Sequence, residues 1–323
     1  MGTRESIDAV FTWVDGDDLP ELTAWTERLA GELEPDSHGP HRWRDNGELR
    51  YALRSIAMYA PWIERVFLVT NGQVPSWLDL DAPGLEVVNH RTIFPDPAVL
   101  PTFNSAAIEA VLHRIPGLST HYLYFNDDVL LGRRVQQEDF LNEDGGTVIY
   151  LEGWPAPFRL HGDDLVDRQL ARNILYLAPR PVPMVAHTPQ LYERDRVREI
   201  WERWPHLFAT TVGHRFRSER DALLRLFYFS ELVLEGSPHE VVTPGYDVAR
   251  LVRIGPAEDV ATTLHRLGEI EPLSICLNDE VTDLKTDGWR WDITRTFLEQ
   301  RYPTPSPFER TASFPPKTRH AHQ

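Results

Sequence analysis

The amino-acid sequence predicts an α/β fold, with a mostly parallel, Rossmann-like sheet covered by helices on both faces and completed by a mainly helical C-terminal half. Three observations predict it. Strand-like and helix-like patterns alternate over the first half of the chain. Each strand-like run there ends in polar, mostly oxygen-rich residues. After about residue 155 the pattern turns to helices joined by Pro-rich connectors such as "APRPVPMVAHTP". Alternation implies crossovers between parallel strands, and open sheets of that kind bind ligands beyond the carboxyl ends of their strands.

Residues 7–14 ("IDAVFTWV") read as the first strand and run into "DGDD". A helix is expected from Asp45, where "DNGE" sets an N-cap Asp three residues before Glu48, and Leu49, Leu53, Ile56 and Ala60 follow at helical spacing. Residues 65–70 ("RVFLVT") and 85–89 ("LEVVN") are the next strands, ending at "TNGQ" and "NHR". A second helix is expected from about Asn104, with Ile108, Val111, Leu112 and Ile115 as its apolar stripe. The fourth strand, residues 121–125 ("HYLYF"), stops at Asn126, Asp127 and Asp128. Beyond it, helices are expected over residues 163–176, 190–204, 218–234, 257–267 and 292–299, with a strand "LSICLND" before the last. Residues 1–155 are thus expected to form an α/β core, 156–310 a helical part of the same unit, and 311–323 a disordered tail.

With 323 residues, 41% of them hydrophobic, the chain can bury a sizeable core. A formal net charge of −16 argues against a nucleic-acid-binding surface, so an anionic ligand must meet positive charge gathered locally. Lysine occurs only at Lys285 and Lys317; the other basic residues are arginine, whose planar fork grips phosphate. The single cysteine, Cys276, excludes an intrachain disulfide and fits a reducing compartment. Neither a leader-like N-terminus nor an apolar run near membrane-spanning length is seen, and a cytoplasmic protein is expected. The phosphate loop, the dinucleotide fingerprint, the G-x-S-x-G elbow and a zinc ligand set are all missing from the sequence.

Several side chains stand where a ligand would bind. Asp127 and Asp128, at the end of a buried strand, suit Mg²⁺ or Mn²⁺, which takes carboxylate oxygens and shares its other positions with phosphates and water. The bland alternative is a turn. Asn278 and Asp279 close a later apolar run in the same way. Glu109 lies early in its helix on the face of Ser105 and His113, so it either reaches the site or is solvated. His187 precedes Thr188 and Pro189, and Arg217 precedes a Ser218/Asp221 capping box, which would set both just ahead of helix N-termini. A capping histidine and a surface arginine are the alternatives.

The stretches "IDAVFTWVDGDD", "RWRDNGELRYALRSIAMYAPWIERVFLVTNGQVPSWL", "LPTFNSAAIEAVLHRIPGLSTHYLYFNDDV", "AHTP", "FRSERDALLRLFYFSEL" and "ICLND" resemble, in order, the four conserved regions of the Stealth family of sugar-phosphate transferases. The resemblance spans most of residues 7–280. It implies a nucleotide-sugar-transferase-like α/β core and transfer of a hexose 1-phosphate from a nucleotide diphosphate sugar to a hydroxyl of a glycan, releasing a nucleoside monophosphate. The family's catalytic acids fall on Glu109 and Asp128, its histidine on His187 and its arginine on Arg217. Its first-region motif falls on Thr12, Trp13, Val14, Asp15 and Gly16, implying a nucleotide-sugar site to which Asn46, Arg50, Asn71 and Asn173 are added. The expected cofactor is Mg²⁺ or Mn²⁺ on Asp127 and Asp128, with Asn278 or Asp279; the expected partners are the donor and a glycan acceptor, at most peripheral to membrane-associated polysaccharide machinery. Two rivals stay open: a metal-dependent glycosyltransferase releasing a nucleoside diphosphate, and a non-catalytic glycan-binding protein.

Overall fold

A computed structural model describes residues 6–17, 19–29, 31–34, 37–153, 164–235, 241–244 and 248–310. The strands are β1 Ile7–Thr12, β2 Val66–Thr70, β3 Leu85–Asn89, β4 His121–Asn126, β5 Val129–Leu131, β6 Val148–Gly153, β7 Met184–Val185, β8 Gln190–Glu193, β9 Val241–Pro244, β10 Ala249–Ile254 and β11 Ser274–Asp279. The helices are α1 Pro20–Arg28, α2 Glu48–Tyr59, α3 His90–Ile93, α4 Ser105–Glu109, α5 Leu165–Leu177, α6 Arg194–Arg203, α7 Pro205–Gly213, α8 Leu224–Glu235, α9 Val260–Gly268, α10 Leu284–Asp287 and α11 Trp289–Arg301.

The main sheet runs β3-β2-β1-β4-β8, with the first four strands parallel and β8 antiparallel at the edge. Side chains of β1, β2 and β4 alternate between two cores, as the period of two requires. Ile7, Ala9, Phe11, Val66, Leu68, Leu123 and Phe125 face the core that α2 covers with Leu49, Leu53 and Ile56. Val10, Phe67, Val69, Tyr122 and Tyr124 face the other, closed by α6, α7 and α8 through Val197, Phe208 and Phe227. The α/β fold class read from the sequence therefore holds. The second half contributes strands as well as helices: β7, β9, β10 and β11 join β5 and β6 in two three-stranded sheets, β10-β11-β5 and β7-β6-β9. Because β5 pairs with β11, the residues that follow Asp128 are locked to those that precede Asn278. The expected tail, residues 311–323, lies outside the described residues.

Three local expectations are corrected. The helix expected from Asp45 starts at Glu48, behind Gly47 at φ 92°. Asp45 Oδ1 accepts from the Gly47 N–H at 3.0 Å and Glu48 Oε2 from the Asn46 N–H at 2.8 Å, so the carboxylates fold a turn rather than cap a helix. The segment after His187 is not a helix start: residues 190–193 pair with β4 first, burying Leu191 and Tyr192 on opposite faces, and α6 begins at Arg194. After Arg217, the Ser218 N–H does donate to Asp221 Oδ2 at 2.8 Å, but the turn does not propagate and α8 begins at Leu224.

Candidate active site

The chain order turns at β1, which has β2 on one side and β4 on the other, and it is at such a switch point, beyond the carboxyl ends of the strands, that open sheets form their ligand crevice. Thr12, ending β1, lies with its Oγ1 3.3 Å from the Tyr124 hydroxyl, which donates to Asn126 Oδ1 at 2.7 Å. The Asp15 N–H donates to Gln73 Oε1 at 3.2 Å and its carbonyl accepts from Gln73 Nε2 at 2.9 Å, tying the end of β1 to the end of β2. Asn71 supports this by accepting from the Gln73 N–H at 3.0 Å. Trp13 is buried in the core beneath. The Gly16 N–H donates to the Trp43 carbonyl at 2.7 Å, and a Cβ on Gly16 would stand 2.5 Å from Trp43 Cβ and 2.7 Å from that oxygen. Gly16→Ala is therefore expected to cost about 1–3 kcal/mol through displaced backbone. Urea unfolding of the variant measures it, and an unchanged midpoint would show that the loop has room.

Trp43 also packs with Phe103 and Phe216 in a small third core, whose rings lie 5.1 Å (Phe103–Phe216) and 6.1 Å (Trp43–Phe216) apart. Arg42, Arg44 and Arg217 are sequence neighbours of these rings, so the cluster sets the backbone from which three guanidiniums project.

The crevice has an acidic side. Asp127 and Asp128 follow β4, and Asp45 and Glu48 add charge beside Asp127. Burial pushes the Asp127 carboxyl well above the usual range, and like charge on Asp128, Glu48 and Asp45 adds to it. Burial also raises Asp128, to about 6, held back by the Cys276 thiol, His187 and Arg217. Glu48, 6% exposed, is raised to about 8 by burial. Asp128 Oδ2 lies 3.6 Å from Cys276 Sγ, while its Oδ1 is buried with no hydrogen-bond partner. Such an oxygen, beside a second desolvated carboxylate, fits a hard cation. Among the described residues no three His, Cys, Asp or Glu side chains form a closed ligand set.

Asn278 shares a strand face with Cys276, and its Nδ2 donates to Glu280 Oε1 at 3.0 Å, leaving its carbonyl oxygen for the site. Asp279 differs from the metal-ligand expectation. Its Oδ2 accepts from Arg44 at 2.8 Å and Asn46 at 3.3 Å, and its Oδ1 from the Val281 N–H at 2.9 Å, so it holds Arg44 and Asn46 at the rim.

The other side carries His187, Glu109 and Arg217. His187 Nδ1 is 3.1 Å from Glu152 Oε1, and the bond to His187 holds the Glu152 carboxyl below its usual range. Ser274 anchors the histidine backbone, donating to its carbonyl at 3.0 Å. Glu109 Oε1 accepts from the Tyr192 hydroxyl at 2.9 Å; burial raises its pKa, and Arg225 and Arg217 moderate the rise. Arg217 donates to Ser105 Oγ at 2.7 Å, on the helix that bears Glu109. Burial and then the nearby Arg42 charge lower the Arg217 pKa to about 10. Asp128 lies within electrostatic reach of both His187 and Arg217, although the three are scattered along the sequence.

Two expected ligands are placed elsewhere. Asn173 is fully buried, donating to Gln169 O and Asp221 O at 2.8 Å each and accepting from the Leu223 N–H at 2.9 Å, so it fixes the turn behind Arg217 and has no group left for a ligand. Arg50 pairs with Glu309 at 2.9 Å and stacks over Trp77, anchoring the C-terminal segment. The sequence reading missed Glu152, which ends an alternating apolar run and so left a weak signal, and Tyr192; it named Asp45, Glu48 and Asp221 only as capping residues, while their roles at the site arise from packing.

Residues 42–149 match Stealth protein CR2, conserved region 2; residues 186–229 match Stealth protein CR3, conserved region 3; and residues 271–320 match Stealth protein CR4, conserved region 4. The chain is similar to exopolysaccharide phosphotransferase SCO6023 of Streptomyces coelicolor, with 37% identity over 95% of this chain and 53% of the relative. It is also similar to capsular polysaccharide phosphotransferase SacB of Neisseria meningitidis serogroup A, with 31% identity over 94% of this chain and 57% of the relative. The chain thus spans about half the length of the curated relatives it matches, 53% and 57%. Among solved structures, galactosyltransferase LgtC in complex with donor and acceptor sugar analogs aligns over 93% of this chain and 96% of that chain, at 11% identity and a TM-score of 0.46. With three conserved regions of one family matched in order between residues 42 and 320, the chain belongs to the Stealth protein family.

Proposed function

We propose that the crevice transfers a hexose 1-phosphate from a nucleotide diphosphate sugar to a glycan hydroxyl. The observation that supports this best is that Asp128 lies within electrostatic reach of both His187 and Arg217, together with relatives described as polysaccharide phosphotransferases. Thr12 to Gly16 offer a backbone-lined edge for the nucleotide. Arg217 and Arg42 face the diphosphate and offset its charge. His187, oriented by Glu152, takes the proton of the acceptor hydroxyl as its oxygen bonds to the sugar-proximal phosphorus. The bond from that phosphorus to the bridging oxygen breaks in line, and a nucleoside monophosphate leaves. Asp127 and Asp128, with Asn278, would hold a divalent cation, which when bound neutralises charge on the phosphoryl oxygens. Glu109 keeps its place beside Arg217 through Tyr192 and is suited to orienting the sugar. The free, buried Cys276 accords with a reducing, cytoplasmic setting.

The test is to incubate the protein with Mg²⁺, nucleotide sugars and acceptor oligosaccharides and to look for a phosphodiester by ³¹P NMR. A nucleoside diphosphate by-product would instead support glycosyl transfer, and no turnover with any donor would favour a binding protein. His187→Ala is expected to lower kcat by about 10²–10⁴-fold, the usual range for a lost acid–base group. Undiminished turnover would remove the histidine from the reaction.

The raised acids also set a pH dependence. A carboxyl with a higher pKa in the folded than in the unfolded state binds its proton more tightly when folded. Its contribution to stability therefore falls as pH rises, from 3.8 to about 6 for Asp128 and from 4.5 to about 8 for Glu48. A cation competing for the Asp127 and Asp128 oxygens reverses that loss. Saturating Mg²⁺ or Mn²⁺ is expected to raise Tm more near pH 8 than near pH 5. Melts with chelator and with cation measure it, and equal shifts at both pH values would put the cation elsewhere.

A further inference from the structure

A second concave feature lies at the opposite end of the main sheet. It encloses about 320 Å³ and is lined by His113, Arg114, Ile115, Arg194 and Arg198. Its walls are the 3-10 turn Leu112–Arg114 and the first turns of α6. The Arg194 N–H donates to the Thr120 carbonyl at 2.8 Å, just ahead of β4, whereas Asp127 and Asp128 follow the far end of that strand. Six residues of strand span roughly 20 Å, so a group in this cleft is not the reacting phosphate.

The cleft is locally basic in a chain of net charge −16. Arg194 is fixed by donating Nη1–H to the Leu118 carbonyl at 2.7 Å, and Arg198 follows one helical turn later on the same face. The carboxylate paired with them is Asp195, at 3.5 Å from Arg194 and 3.2 Å from Arg198, where exposure weakens both contacts. Among the described residues Arg114 has no ion-pair partner, so three guanidiniums meet one paired carboxylate. His113, 9% exposed, lines the cleft with a buried Nδ1 that has no hydrogen-bond partner. Burial, then Arg114, pushes its pKa down to about 4, so the imidazole is neutral. Forked donors around a pocket large enough for a sugar phosphate suit a phosphoryl group.

We propose that this cleft holds a phosphoryl group of the phosphodiester-linked glycan at a distance from its reacting end. The inference rests on the function proposed above, because a polymer of hexose 1-phosphate carries one negative charge per linkage. A chain seated there would be retained by its own charge between transfers.

Calorimetric titration of the protein with a phosphodiester-linked hexose oligomer, a neutral oligomer of equal length and inorganic phosphate tests it without turnover. The wild type is expected to prefer the charged oligomer. The Arg114→Ala/Arg198→Ala variant, altered at two exposed side chains outside the catalytic rim, is expected to bind it about tenfold more weakly or worse. The variant should transfer normally to a single-sugar acceptor and show a raised KM for a long phosphodiester-linked one. Equal affinity in wild type and variant overturns the proposal, as does inorganic phosphate binding as tightly as the oligomer. A protein that transfers hexose phosphate but fails this titration loses only the cleft. One that shows the charge-dependent binding but transfers nothing loses the reading of the active site.

Discussion

Arg217→Ala is expected to lower kcat for release of nucleoside monophosphate by on the order of 10³-fold or more, as loss of a transition-state arginine does in phosphoryl transfer. The cause lies in how the guanidinium is held. Ser105 Oγ accepts one of its hydrogens at 2.7 Å, which aims the fork, and Arg42 and Arg225 place like charge nearby. Positive charge is thus gathered around Arg217, and in the proposed reaction it would offset charge on the transferred phosphoryl group. Removing the group eases repulsion, so folding stability is expected to hold or rise slightly while catalysis collapses. Arg217→Lys keeps the charge but loses the planar fork, and should recover only part of the rate. Steady-state assays with urea melts separate the two effects. A kcat within about tenfold of wild type would place Arg217 outside the transition state.

The parallel core was legible because a strand buried on both faces reads as a nearly continuous apolar run. β1, β2 and β4 were found in that way, and their polar ends located the crevice. Asp127 and Asp128 were legible for the same reason. The cap patterns beside His187 and Arg217 left both undecided, and it was the family resemblance that singled them out; the structure makes the Ser218–Asp221 contact but starts no helix there. Periodicity carried the helix of α6 back through residues 190–193, although pairing with β4 makes them a strand, and local pattern cannot register a partner some 70 residues away. The capping box at Asp45 failed because Gly47, at φ 92°, closes a turn before the helix can start. Strands β5, β6, β7, β9 and β10 were missed, since each pairs with neighbours distant in sequence. Glu152 belongs to the same class, as do the contacts of Asp221 beyond Ser218, with Asn104, Gln169 and His214: nothing beside them in the chain announces what they hold.

Asp221→Ala is expected to be the most destabilising of these substitutions, by about 3–5 kcal/mol, the range for removing one partner of a buried charged network. Its carboxylate is fully buried. Oδ2 accepts from Ser218 N at 2.8 Å, Asn104 Nδ2 at 2.9 Å and Gln169 Nε2 at 3.3 Å, while Oδ1 meets His214 Nδ1 at 2.7 Å. Alanine would leave all four groups without this acceptor in a dry site, and an unsatisfied buried donor costs about 1–3 kcal/mol. The loss also reaches the chemistry, because this carboxylate joins Asn104, which caps the helix of Ser105 and Glu109, to the turn that follows Arg217. Asp221→Asn keeps the shape but turns one oxygen into a donor facing donors, so it should fall between alanine and wild type. Urea unfolding followed by fluorescence and far-UV circular dichroism gives the free energies. A loss under about 1 kcal/mol for alanine would mean that water or rearranged side chains satisfy the orphaned groups and that the network does not position the arginine.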